Sequence, residues 1–179
     1  MKLATIAALC VVTLAGTAAA QKTESLGVGD GGSPHVRTTW SVNGATISIA
    51  YGRPYLKGRH LAQLTPVGKP WRTGADEATV ITTDKPLTFG DVKLAPGSYT
   101  INTEPGDKQW QFMLGKLDKA GQWGIPYQPQ LEIGRVPMKL TQTSKPVEQV
   151  TIDIDAGATP TLKIEWGTVV ASTPFKVGK

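Results

Sequence analysis

The chain of 179 residues has a single cysteine, Cys10, and only two histidines, His35 and His60. Cys10 sits inside MKLATIAALCVVTLAGTAAA, where an early Lys2, an apolar run over 3–14 and small residues at Ala18 and Ala20 make the pattern of a secretory signal peptide over 1–20, not of a membrane span. Leu9 precedes the cysteine, where a lipoprotein anchor needs a small residue. The expected product is an unanchored, exported chain starting near Gln21, periplasmic or extracellular, without a disulfide. With the cysteine gone, thiol catalysis and thiolate metal sites are excluded. The core must hold the fold unaided, which a domain of roughly 150 residues can do by burying about 70% of its unfolded surface.

Other absences narrow the function. The formal charge of +5 falls by one when Lys2 leaves, and the lysines are scattered singly without interleaved aromatics. That excludes the electrostatic footprint of a nucleic-acid binder. No later apolar run suggests a second span, and no repeat of fixed period suggests a propeller or solenoid. G-x-S-x-G does not occur, and Ser98 lies in a turn entering a strand. The glycines among 27–32 precede a strand instead of opening a helix, which makes them a linker and not a phosphate loop. The histidines lack H-x-H or H-x-x-x-H spacing, so a metal would need a distant assembly such as His60 with Asp76 and Glu77. No metal and no cofactor are expected.

What remains reads as strands. Residues 21–34 have no apolar period and are expected to be a flexible leader, followed by one domain over 35–178. VRTTWSV, Asn43-Gly44 and ATISIAY spell a hairpin, because Asn-Gly supplies the positive φ angles of a type I′ turn. This places Ile47, Ile49 and Tyr51 on one face. The same two-residue period recurs in Trp110, Phe112 and Leu114, in Val150, Ile152 and Ile154, and in Leu162, Ile164 and Trp166. Eight or nine strands and at most one short helix, near 58–64, predict an all-β antiparallel sandwich with jelly-roll or Greek-key connections. Trp40, Trp110 and Trp166 fall in phase with the core, which leaves Trp71 and Trp123 free to meet a ligand. Asp153 and Asp155 alternate with isoleucines and are assigned to a solvated face.

One stretch stands apart, KPWRTGADEAT over 69–79. With Ser33-Pro34, Tyr51-Gly52-Arg53-Pro54, Lys57-Gly58-Arg59, Leu64-Thr65-Pro66, Ala95-Pro96-Gly97-Ser98-Tyr99 and Trp123-Gly124, it resembles the secreted bacterial family catalogued as domain of unknown function 2911, over about 33–177. The resemblance implies an exported all-β domain with no assigned activity. It also marks Asp76, where the family more usually has asparagine, and His60, where an apolar residue or lysine is commoner.

In an extended segment Asp76 and Glu77 point to opposite faces, so they are not the same-face carboxylate pair of glycoside hydrolysis. One of them is expected to accept from Arg72, Arg53 or Arg59, whose planar forks suit carboxylates. Two readings follow. The loop is either a clasp over one end of the sandwich, or the lining of a concave site. In the second, Tyr51, Tyr55 and Trp71 are walls and Arg53, Arg59, Arg72, Asp76 and Glu77 are polar contacts for a small polar or anionic ligand, a carbohydrate or an envelope partner. The leading expectation is a non-catalytic binding module. The alternatives are a hydrolase with Glu77 as acid/base and Arg72 as electrostatic stabiliser, and a structural or assembly module.

Overall fold

The computed structural model describes residues 21–118 and 127–179. The expected signal peptide over 1–20 and the Trp123-Gly124 pair fall outside them. The chain is all-β and antiparallel. In order it forms β1 (Gln21–Val28), β2 (Pro34–Val42), β3 (Ala45–Gly52), a four-residue helix α1 (Leu61–Leu64), β4 (Thr79–Thr83), β5 (Leu87–Phe89), β6 (Val92–Leu94), β7 (Gly97–Glu104), β8 (Gln109–Lys116), β9 (Glu132–Asp155), β10 (Thr161–Pro174) and β11 (Lys176–Val177). Two sheets result: an eight-stranded one in the order β1-β2-β3-β4-β7-β8-β9-β10, and a small one in the order β11-β5-β6. The connectivity is simpler than a jelly roll or Greek key. Successive strands of the large sheet pair as a meander, and β5 and β6, then β11 after β10, leave it for the small sheet.

The hairpin forms as the Asn-Gly dipeptide dictates. Asn43 and Gly44 take φ of 50° and 82°, and Val42 pairs with Ala45. Ile47, Ile49 and Tyr51 are then buried while Ser48 and Ala50 face outward. The large sheet curls so that its inner face closes on itself, with Phe89 of the small sheet packed against Phe112 and Phe175 at 5.1 Å between ring centroids. Two polar contacts pin the curl. Trp40, 1% exposed, donates its indole N–H to Asp153 at 3.1 Å, and the Ile152 N–H donates to the Tyr51 hydroxyl at 3.0 Å. Asp153 is thus half-buried and fastens the first hairpin to β9, where a purely solvated face was expected. Asp155 does stay exposed, with Lys163 3.0 Å away.

Three further elements differ from expectation. Strands β5, β6 and β11 are two or three residues long, too short to show a period. Residues 21–28, expected as a flexible leader, pair with β2 as the edge strand of the large sheet. Every residue of β1 is exposed, so no side chain signals the strand. Its ladder to β2, with an exposed Glu24–Arg37 contact of 2.8 Å, is what holds it. The glycines that follow are also more than a linker. A Cβ on Gly29 would lie 2.0 Å from a carboxylate oxygen of Asp76, so only glycine lets this turn settle on that side chain.

Candidate functional site

Residues 53–71 leave β3, cross the open end of the curled sheet and return. Each of their expected contact residues is tied to the fold. Arg53 donates from Nε to the Val150 carbonyl at 2.9 Å and from Nη2 to the Thr151 hydroxyl at 2.8 Å. Tyr55 forms an isolated bridge to Gln149. Arg59 folds back on its own turn, donating to the carbonyls of Leu56 at 2.9 Å and Tyr55 at 2.8 Å. Trp71 exchanges backbone hydrogen bonds of 2.7 and 2.8 Å with Thr103, and its ring stacks on Trp166 at 5.4 Å with Trp110 edge-on at 6.4 Å. It is therefore packed on core tryptophans and is not a free wall. Tyr51 lies in the core, where burial pushes its phenol pKa up, partly offset by the Ile152 N–H. The three arginines expected to converge do not, and among the described residues none of them reaches a carboxylate.

Residues 72–77 behave differently. Thr73 and Asp76 take φ of 56° and 63°, left-handed values that cost a side-chain-bearing residue about 1–3 kcal/mol each unless the surroundings enforce them. Buried Thr73 is fixed by donating to the Thr103 hydroxyl at 3.1 Å and by accepting at its carbonyl from the Thr79 hydroxyl at 3.2 Å. Arg72 donates to the backbone carbonyl of Asp76. Asp76 is one of the few residue types that visits this conformation without difficulty.

Because Asp76 is left-handed and not extended, the two neighbouring acids do not diverge. Both reach His35. Asp76 Oδ2 lies 2.8 Å from Nε2, and Glu77 Oε2 lies 2.8 Å from Nδ1. The first is a hydrogen bond. The second has the distance but not the direction of one, so the buried Oε2 has no hydrogen-bond partner among the described residues, and the contact is electrostatic. His35 and Asp76 are 13% and 10% exposed, whereas Glu77 is 37% exposed. The acids approach opposite ring nitrogens, so the three groups do not share a point where one ion would sit. His60, the other histidine, is at the N-terminus of α1, where its backbone N–H donates to Gln63 Oε1 at 3.2 Å; it takes no part in this cluster. His35 was the residue that sequence reasoning missed, since nothing in its neighbourhood shows that a loop some forty residues on will fold against it.

Beside this cluster a cleft of about 420 Å³ opens on the outer face of the large sheet. Its floor is Ser48 and Ala50 of β3, Val80 and Thr82 of β4 and Ser98 of β7, with Arg37, His35 and Glu77 at the rim. The Ser98 hydroxyl is 2.8 Å from that of Thr82. A narrower slot of about 40 Å³ adjoins the cleft through the shared residues Ala78 and Leu117, and Arg72 lines it. One wall of the slot is a fixed polar network. Arg135 donates to both oxygens of Glu132, at 2.8 and 2.7 Å, and the Tyr127 hydroxyl donates to the same carboxylate. The Arg135 hydrogen bonds hold Glu132 below the ordinary glutamate pKa, while burial and the Glu132 carboxylate push the Tyr127 phenol up.

Among the described residues no helix is long and apolar enough to cross a membrane. No curated protein and no solved structure matches the chain. A family model does match, over residues 33–175, and so takes in the whole Trp71–Glu77 string and His35. The chain therefore belongs to the family described as Protein of unknown function (DUF2911).

Proposed function

We propose that this protein is an exported, non-catalytic binding module whose site is the outer-face cleft beside His35, Asp76 and Glu77. Its ligand is small and polar, with several hydroxyl or N–H donors. The observation that carries this reading is Glu77. Of the eight contact residues expected from the sequence, it combines a place on the rim of the cleft with a carboxylate oxygen that the fold leaves unpartnered. Binding sites retain polar groups that the fold alone does not satisfy. The volume falls in the range of small-molecule sites, and the hydroxyls of Ser48, Thr82 and Ser98 give the floor both donors and acceptors. An anionic ligand is disfavoured, since Arg53 and Arg59 are spent on backbone carbonyls and Arg37 faces Glu24. Export rests on the pattern of residues 1–20.

NMR titration of the mature chain with a panel of neutral sugars, polyols and small anions tests the reading. Saturable binding of neutral polyols, with shifts at Ser48, Thr82 and Ser98 and loss in Glu77→Gln, is expected; binding of anions alone, or shifts confined to other faces, overturns it.

One observation favours a second reading. An imidazole lies between two carboxylates, one of them Glu77 at the rim of the cleft, which is the kind of grouping general acid/base chemistry uses. Arg72 does not fit its role there, because it lines the slot and donates to the Asp76 carbonyl. Turnover of a glycoside or ester, abolished by Glu77→Gln, would establish that reading over simple binding.

A further inference from the structure

Resting on the binding reading above, we propose that the ligand is an acylated sugar or polyol, with a short acyl group such as acetyl seated in the slot next to the cleft. Continuity comes first. Ala78 and Leu117 line both spaces, so a ring lying over Ser48 and Thr82 can send one substituent past Ala78 without leaving the protein surface.

Size comes second. The slot's volume of about 40 Å³ is a tenth of the cleft's 420 Å³, room for a small substituent and not for a second sugar ring. Acetyl is such a substituent. A bare hydroxyl leaves the slot underfilled.

Chemistry comes third. The base is Met113, 1% exposed yet set on the outer face of β8, apart from the main core cluster. Its cross-strand partner is Asn102, a slot residue with two amide donors. Gly115 lets the opposite wall close in, since a Cβ there would lie 2.6 Å from the Thr100 hydroxyl and 3.3 Å from the Leu131 carbonyl. Tyr127 and Glu132 satisfy each other and Arg135, so they shape the slot without competing for the ligand. The space has an apolar base with the N–H donors of Asn102 and Arg72 at its side, and Lys116, Asp118 and Gln128 also line it. A methyl group suits the first, and a carbonyl oxygen suits the second. Acetyl is the smallest substituent that has both.

The acyl group can be borne on nitrogen or on oxygen, and the test separates them. The mature chain is titrated, by NMR or calorimetry, with N-acetylglucosamine, with an O-acetylated glucose and with glucose itself. At least one acetylated sugar is expected to bind about ten-fold or more tightly than glucose, and the tighter of the two identifies the linkage. Asn102→Leu should bring that ratio close to one. Asn102→Asp, which keeps the shape and removes the amide donors, is the companion variant should the leucine disturb folding, and it too should lower the ratio. Equal affinities for glucose and both acetylated sugars overturn the acyl slot while leaving the cleft standing. A preference that persists in the Asn102 variants overturns it as well. Failure of all three sugars to bind overturns the cleft reading and the acyl slot together.

Discussion

Residues 53–71 and 72–77 are consecutive, and the sequence offered contact residues in both: arginines and aromatics in the first, an arginine and two acids in the second. In the folded chain they do opposite things. The first is a clasp: Arg53 and Arg59 donate to main-chain carbonyls, Tyr55 bridges to β9, and Trp71 stacks on Trp166. The second gathers ionisable groups around one imidazole. Asp76 and Glu77 are brought to one imidazole by a left-handed turn, beside an open cleft, with a carboxylate oxygen left over. Arginines stand in both, so an arginine alone does not distinguish a clasp from a site; what distinguishes them is whether each polar group has found its partner within the fold.

If this division is right, the largest loss of stability comes from the clasp. Trp71→Ala removes a ring stacked on one core tryptophan and edge-on to another. Truncating a large packed aromatic costs about 3–5 kcal/mol, to be read as a lower denaturant midpoint with the slope retained. A loss under about 1 kcal/mol would return Trp71 to the ligand wall and erase the contrast. Arg53→Ala comes next. It leaves the Val150 carbonyl and the Thr151 hydroxyl without the guanidinium, at a cost of about 1–3 kcal/mol. Lysine in its place should recover only part of this, because an ammonium cannot reproduce the two-pronged geometry.

The wall of the slot provides an intermediate case, with a pH signature. Glu132 is held below its ordinary pKa by hydrogen bonds from Arg135, so its ionised form favours the folded state. Its contribution is complete above the pKa of an unfolded glutamate, about 4.3, and is lost as pH falls through the lowered folded value. Glu132→Gln should therefore cost about 1 kcal/mol at neutral pH, discounted for the exposure of Arg135, and the gap from wild type should close in acid. A gap that is constant with pH would show that the charge is immaterial to the wall.

Much of the frame was legible in the chain because its signals are local. The Asn43-Gly44 turn, the alternating faces of β3, β8 and β10, the core assignment of Trp40, Trp110 and Trp166, and a short helix before Leu64 each depend on residues within a few positions. What escaped depends on distance. The ladder of β1 is made by backbone groups alone, and a strand with polar side chains on both faces has no period to read. The meeting of His35 with Asp76 spans 41 positions and hangs on a left-handed φ, whereas the extended geometry assumed for neighbours sends the two acids apart. Gly29 beside Asp76 is of the same kind: its meaning lies in a carboxylate brought within 2.0 Å of where its Cβ would be.

The smallest expected effect is also the sharpest test of the comparison. Glu77→Gln removes one of the two carboxylates facing His35. Were Glu77 the buried partner of an arginine, breaking that pair would cost on the order of 3–5 kcal/mol. Among the described residues no arginine meets it, its side chain is 37% exposed, and its contact with Nδ1 lacks hydrogen-bond direction. Glutamine keeps the shape and gives up only a contact that lacks hydrogen-bond direction, while Asp76 keeps its hydrogen bond to Nε2. Stability by denaturant titration near neutral pH should thus be unchanged or slightly higher, within about 1 kcal/mol, while ligand binding is lost. A protein that sheds binding without shedding stability at Glu77, and stability at Trp71, has its clasp and its site in adjacent residues. A loss of several kcal/mol at Glu77 would instead make 72–77 a continuation of the clasp, and the cleft would need another residue to account for it.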